Sequence, residues 1–106
     1  MASTLVTVPA TAKRGEIIEV KTLAAHTMET GYRLTERGAP IPRDIVRLFT
    51  CTYNGVEVFS AELHPAISAN PYITFWTVAT ESGTLAFTWT GDNGFAVSTS
   101  ANIVVT

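Results

Sequence analysis

The sequence predicts an all-β fold, an immunoglobulin-like antiparallel β-sandwich of about seven strands in one domain spanning residues 1–106. Segments of alternating apolar and polar residues recur along the chain, and turn signals separate them about every 8–12 residues. No segment shows a convincing helical period. The single cysteine excludes the disulfide frame of an antibody-type domain.

The clearest pair of strands lies around Asn54-Gly55. Phe49, Cys51 and Tyr53 alternate with threonines, which is typical of a half-buried strand. Asn54-Gly55 is a strong hairpin signal because both residues tolerate the positive φ of a type I′ turn. Residues 56–63 then form the predicted return strand.

Two further predicted strands follow, at residues 72–79 and 85–90, and both are rich in aromatic and β-branched residues. Trp76 and Trp89 are the predicted large anchors of the core. Phe75 and Trp76 nevertheless fall on opposite faces of one strand, and both faces are apolar. One of those faces must therefore meet solvent or a partner.

The remaining strands flank this unit. Residues 3–9 predict an edge strand, residues 10–15 a basic turn, and residues 16–23 a strand with Ile18 and Val20 inward. The third strand covers residues 45–53. Residues 95–99 and 101–105 predict a final strand or a bulged pair.

A long segment at residues 24–42 has no clean period of either kind. At about 19 residues it is long for a connection in a compact domain, where about four to six is usual. Such loops are often functional, so we expect this one to take part in recognition.

The charges are unevenly distributed. All seven Lys and Arg residues lie in the first 47 positions, whereas the remaining 59 residues hold four acids and no base. We therefore do not expect the chain to bind nucleic acid, because a phosphate-binding face needs a dense basic patch. Exposed edge strands are usually protected from pairing by Lys or Pro, and the later strands have no Lys. Their composition is consistent either with a solvated Ser/Thr surface or with edges that another chain pairs with or covers.

Candidate catalytic and metal-binding residues are few. Cys51 lies mid-strand in phase with Phe49 and Tyr53, which predicts a buried thiol. His26 and His64 lie in separate loops without metal-ligand spacing, and Asp92-Asn93-Gly94 predicts a tight turn, not a calcium loop. We expect no catalytic residue, no metal, no cofactor and no membrane span.

These observations favour a non-enzymatic binding or scaffold domain. Two alternatives stay open: a thiol-dependent sulfur-transfer protein that uses Cys51, and an adhesive sandwich that exchanges strands between identical chains.

Five strings together resemble one family: residues 8–26, 28–33, 38–45, 64–72 and 87–94. Their sequences are VPATAKRGEIIEVKTLAAH, METGYR, GAPIPRDI, HPAISANPY and FTWTGDNG. The chain resembles the SoxZ family, the small subunits of the SoxYZ sulfur carrier of bacterial thiosulfate oxidation. The resemblance covers nearly the whole chain.

The resemblance implies an immunoglobulin-like fold and a heterodimer with SoxY, whose cysteine on a flexible C-terminal arm carries the sulfur. Residues 101–106 contain neither glycine nor cysteine, so we expect this subunit to help present the arm to Sox enzymes through transient contacts. The expected location is periplasmic. Because the N-terminus has no signal-peptide pattern, export with SoxY is expected.

The long loop, taken from His26 to Arg43, is the predicted recognition site, either for SoxY or for a client enzyme. Its arginines, Arg33, Arg37 and Arg43, are also candidates to hold anionic sulfur species or carboxylates of a partner through forked hydrogen bonds. The alternative is a set of solvated arginines that balance nearby acids. The candidate partner-binding residues are His26, Met28, Glu29, Thr30, Gly31, Tyr32, Arg33, Arg37 and Arg43.

Overall fold

The computed structural model describes residues 3–106 and packs them into two sheets. The predicted all-β, immunoglobulin-like sandwich is confirmed. The strands are β1 Thr4–Thr7, β2 Thr11–Ala12, β3 Ile17–Ala24, β4 Val46–Tyr53, β5 Val56–Glu62, β6 Tyr72–Val78, β7 Gly83–Gly91 and β8 Ala96–Val105. A short 3-10 helix, Asp92–Gly94, joins β7 to β8. No helix among the described residues is long and apolar enough to cross a membrane.

One sheet has three strands in the order β1-β3-β6, and the other has five in the order β2-β8-β7-β4-β5. Every pair is antiparallel except β2 with β8. The predicted basic turn at residues 10–15 thus missed the two-residue strand β2. That strand exists because it pairs with the distant β8, which no local pattern reveals.

The core lies between the two sheets and is rich in aromatic rings. Phe49, Phe87 and Trp89 of the five-stranded sheet are fully buried. Phe75 of the three-stranded sheet stacks on Phe59, with ring centroids 4.4 Å apart and planes 7° from parallel. This contact closes the side of the sandwich on which β5 and β6 are the outermost strands.

The hairpin prediction holds in detail. Asn54 and Gly55 both have positive φ, 50° and 84°, as a type I′ turn requires. The Asn54 side-chain oxygen accepts a hydrogen bond from the backbone N–H of Thr84 at 2.9 Å. The hairpin is thereby fastened to the neighbouring strand β7.

The prediction that both tryptophans anchor the core is wrong for Trp76. Trp89 is fully buried, whereas Trp76 is 60% exposed. Successive side chains of a strand point to opposite faces, and Phe75 takes the inward position in β6. Trp76 therefore lies on the outer face of the three-stranded sheet.

Candidate functional site

The long loop follows Ala24, the last residue of β3, and ends at Ile45, just before β4. Backbone hydrogen bonds connect its outgoing and returning segments. Glu29 and Asp44 exchange two N–H···O bonds of 2.8 Å each. Farther out, the N–H of Ile41 donates to the carbonyl of Arg33 at 2.9 Å. As predicted, the loop contains no regular strand, but these hydrogen bonds hold it in a defined conformation.

Met28 is an internal anchor of this loop. Its side chain is buried and its φ is +53°, a conformation that is uncommon for a residue other than glycine. Its thioether sulfur accepts the backbone N–H of Val46 at 3.2 Å. Met28 therefore fixes the start of β4 and is not available for partner contact.

His26 is also held inside. Its side chain is only 6% exposed and packs edge-on against Phe95, with ring centroids 4.6 Å apart. Nδ1 accepts the N–H of Met28 at 3.0 Å, and Nε2 lies 3.5 Å from a carboxylate oxygen of Asp44. Because Nδ1 acts as an acceptor, the proton of the neutral ring sits on Nε2, facing Asp44.

Two arginines of the loop have carboxylate partners within the chain. Arg33 binds Glu29, with its terminal nitrogen 2.6 Å from the carboxylate. Arg43 donates two hydrogen bonds, of 2.8 and 3.0 Å, to the carboxylate of Asp92. The hydrogen bonds from these arginines lower the pKa values of Glu29 and Asp92.

Gly31 and Thr30 shape the turn that carries Tyr32. Gly31 has a φ of +90°, and a Cβ there would lie 3.0 Å from the Cβ of Arg43. The Thr30 hydroxyl accepts the N–H of Tyr32 at 3.1 Å. Tyr32 itself is 83% exposed.

The structure therefore divides the predicted partner-binding residues into two groups. Tyr32 projects into solvent, and Arg37 is exposed with no carboxylate partner within residues 3–106. These two are free to contact another molecule. The assignment of the loop to partner binding stays a prediction. The members that hold the loop together or shape its turns are His26, Met28, Glu29, Thr30, Gly31, Arg33 and Arg43.

Cys51 is fully buried in β4, as predicted. Burial raises the pKa of its thiol to about 11, because the thiolate would lose its hydration. Its nearest hydrogen-bond acceptor is the carbonyl of Thr52 at 3.8 Å. A thiol in these surroundings is a poor nucleophile near neutral pH.

A metal site is equally unsupported by the side chains. No cluster of three or more His, Cys, Asp or Glu residues occurs in the part of the chain that the structure describes. His64 is exposed and lines a cavity of about 450 Å³ together with Arg43, Arg47 and Glu62. Because Arg43 is already paired with Asp92, the charges left in that cavity are one arginine and one glutamate, which do not define an anion site.

A second surface was not among the predicted site residues. We call it the apolar face: the side chains on the outer side of the three-stranded sheet. Its exposed fractions are 63% for Leu5, 69% for Ile17, 61% for Tyr72, 60% for Trp76 and 44% for Val78. The signal in the sequence was the apolar character of both faces of residues 72–78.

Register determines how these side chains are grouped. Leu5 lies opposite Leu23, and Leu23 opposite Tyr72, forming one row across all three strands. Ile17 lies opposite Val78 at the other end of the sheet. The apolar side chains of this face thus form two groups, Leu5 with Tyr72 at one end and Ile17 with Trp76 and Val78 at the other. The polar row of Thr7, Lys21 and Thr74 lies between them.

Comparisons with solved structures find the same sandwich in proteins of different function. Superoxide reductase (neelaredoxin) from Ignicoccus hospitalis aligns with a TM-score of 0.76 and 16% identity, covering 98% of this chain and 80% of that one. A putative superoxide reductase from Thermotoga maritima gives a TM-score of 0.70 at 16% identity, covering 97% and 85%. At such identities the likeness establishes the fold alone.

The sulfur carrier protein SoxY from Chlorobium limicola f thiosulfatophilum also shares the fold, with a TM-score of 0.66 and 12% identity over 97% of this chain and 78% of that one. No curated protein sequence matches the chain. The family model for the sulphur oxidation protein SoxZ matches residues 6–102. Since that match spans almost the whole chain, the protein belongs to the SoxZ family.

Proposed function

We propose that this chain is the non-catalytic subunit of a SoxYZ carrier in thiosulfate oxidation. It pairs one-to-one with SoxY and helps present the sulfur on the SoxY cysteine to the Sox enzymes. The observation that carries the proposal is the SoxZ family match over residues 6–102.

The chemistry of the chain supports a scaffold role. A carrier body should offer docking surfaces without side chains that compete for the sulfur group. The only thiol here is buried, and its pKa is raised to about 11, so only a minute fraction is thiolate at neutral pH. The alternative, sulfur transfer through Cys51, would require the core to open.

Co-purification tests the pairing. We would express the chain with SoxY from the same organism and measure the mass of the complex in solution. A stable one-to-one complex supports the proposal, and two non-interacting monomers would overturn it.

A second experiment tests the absence of sulfur chemistry on this subunit. After turnover with thiosulfate and the Sox enzymes, the intact mass of this chain should show no adduct. Cys51→Ala should retain full pathway activity, with thermal unfolding as the control for folding. An adduct on Cys51, or lost turnover in a folded variant, would establish the thiol as the working group.

The proposed location is the periplasm, reached together with SoxY. Cell fractionation with and without SoxY tests it. The chain should appear in the periplasmic fraction only when SoxY is present, and export without SoxY would contradict co-export.

A further inference from the structure

We propose that the apolar face and the adjoining edge of β6 form the surface on which SoxY docks. This inference rests on the proposed function, because it assumes that SoxY is the partner. It assigns the interface to the three-stranded sheet instead of the long loop.

The size of the apolar face is the first argument. Side chains of these types, exposed to the extents given above, present on the order of 600 Å² of surface. The largest apolar patch of a typical monomer is about 300–600 Å². A stable interface needs about 800 Å² per partner, so SoxY would have to cover the polar side chains between the two apolar groups as well.

Those polar neighbours are neutral as a group. Lys21 and Glu19 form an ion pair of 3.4 Å in the middle of the patch, and Thr7 and Thr74 flank Lys21 across the sheet. A self-paired charge is easier to cover than an isolated one, because each ion keeps its partner. The centre of the patch can therefore be buried against another protein.

The edge of β6 is the second argument. β6 pairs with β3 on one side and has no strand on its other side among residues 3–106. Its seven residues, YITFWTV, include no charge, no proline and no glycine. Edge strands of soluble proteins usually carry such guards, so an unguarded edge indicates that another chain covers it.

A groove continues the apolar surface around this edge. It has a volume of about 540 Å³ and lies where the edges of β5 and β6 face each other. Trp76 and Val78 line it from one sheet, and Val56 and Val58 from the other. The apolar face, the free edge and the groove thus form one continuous surface.

The charges of this chain count against a second copy as the occupant. Glu57 and Glu81 are exposed near the groove, and no Lys or Arg occurs after Arg47. A second copy would bring the same acids to the rim, and the lysine of its own face, Lys21, is already paired with Glu19. A partner that places Lys or Arg around its own apolar patch would attract this surface and orient on it.

The test is binding of SoxY to the full chain, with and without Trp76→Lys. The new lysine would lie opposite Glu19, so it fits the sheet while it removes the indole from the patch. We expect the dissociation constant to rise by at least about 30-fold, as for a hot-spot residue. The matched control is Val104→Lys, which replaces an exposed apolar side chain on the outer face of the five-stranded sheet and should leave the affinity nearly unchanged.

The outcomes separate the inference from the function. If the natural chain binds SoxY and Trp76→Lys binds equally well, the inference is overturned and the function stands. If the natural chain does not bind SoxY, the proposed function fails. If Trp76→Lys dissociates a homodimer without affecting SoxY, the surface serves a second copy instead.

Hydrogen exchange gives a readout that needs no variant. Addition of SoxY should slow exchange of the β6 amides that lack a partner strand, while amides of the central strand β7 should change little. Protection confined to the long loop would overturn the inference even if Trp76→Lys failed to fold.

Discussion

The outer faces of the two sheets have opposite chemistry, although both belong to one sandwich. The five-stranded sheet turns mainly hydroxyl and small side chains outward, with Leu48 and Val104 as exposed apolar exceptions. The three-stranded sheet turns Leu, Ile, Tyr, Trp and Val outward, together with one Lys–Glu pair and two threonines. The outward side chains of the five-stranded sheet include Thr50, Thr52, Thr84, Ala86, Thr88, Thr90, Ser98, Ser100 and Asn102. Short hydroxyl side chains suit a strand that faces water.

The difference indicates which of the two outer faces is suited to contact with water. An antiparallel sheet commonly buries one face and leaves the other in water, as the hydroxyl face of the five-stranded sheet does. The three-stranded sheet departs from this rule, since its outer face also exposes five large apolar side chains, Leu5, Ile17, Tyr72, Trp76 and Val78. Within one chain, the hydroxyl face provides an internal control for the apolar face.

The largest expected effect separates the two tryptophans. Trp89→Ala removes a fully buried side chain and should lower the free energy of unfolding by about 3–5 kcal/mol. Trp76→Ala removes an exposed one and should cost about 1 kcal/mol or less in the isolated chain. Urea denaturation of both variants measures the difference, and equal losses would contradict the assignment of Trp76 to the outer face.

A matched pair of valines compares the two outer faces directly. Val78 on β6 and Val104 on β8 are 44% and 52% exposed. Val78→Lys should weaken SoxY binding about tenfold, because it places a hydrated charge in the patch and guards the free edge. Val104→Lys should change the dissociation constant less than about twofold. Equal weakening would point to a general effect of added charge.

Much of this fold is predictable from the sequence because strand alternation and turn chemistry are local. Ile18 and Val20 point inward, and Asn54-Gly55 turns the chain as its residue types require. The strand β2 was missed because two residues carry no period. Its existence depends on pairing with β8, more than 90 positions later in the chain.

The candidate site was less predictable, for the same reason. The sequence marks the long loop as irregular but cannot say which of its side chains point inward. Met28 and His26 become structural only through contacts with Val46 and Phe95, which fold next to them. Conversely, the sequence shows that residues 72–78 carry apolar side chains on both faces of their strand. Only the sheet order shows that this strand lies at a free edge.

Acid should loosen the junction between the loop and the sandwich. Asp92 accepts two hydrogen bonds from Arg43 and one from the N–H of Ile45 at 3.2 Å, and the bonds from Arg43 contribute most to its lowered pKa. A carboxylate with a depressed folded pKa contributes stability above its ordinary value of 3.8, and that contribution is lost as the pH falls through the folded value.

Asp92→Asn tests this linkage. The variant should be less stable at neutral pH, and its free energy of unfolding should fall less steeply than that of the natural chain as the pH drops below about 4. The measurement is denaturant unfolding across that range. Parallel pH profiles for the two proteins would show that the Arg43–Asp92 pair does not contribute.

The smallest structural change tests whether the long loop recognises a client enzyme. Arg37→Glu reverses an exposed charge that has no carboxylate partner among the described residues, so unfolding and SoxY affinity should stay unchanged. If the loop contacts a Sox enzyme, thiosulfate-dependent turnover of the reconstituted pathway should fall several-fold.

Arg33→Glu is the contrasting variant, because it places a second carboxylate beside Glu29 and disturbs the loop itself. We expect it to slow turnover through loss of loop structure, with altered hydrogen exchange in residues 28–44. A rate that is unchanged in both variants would remove the loop from recognition. The apolar face would then be the one surface of this subunit with a proposed partner.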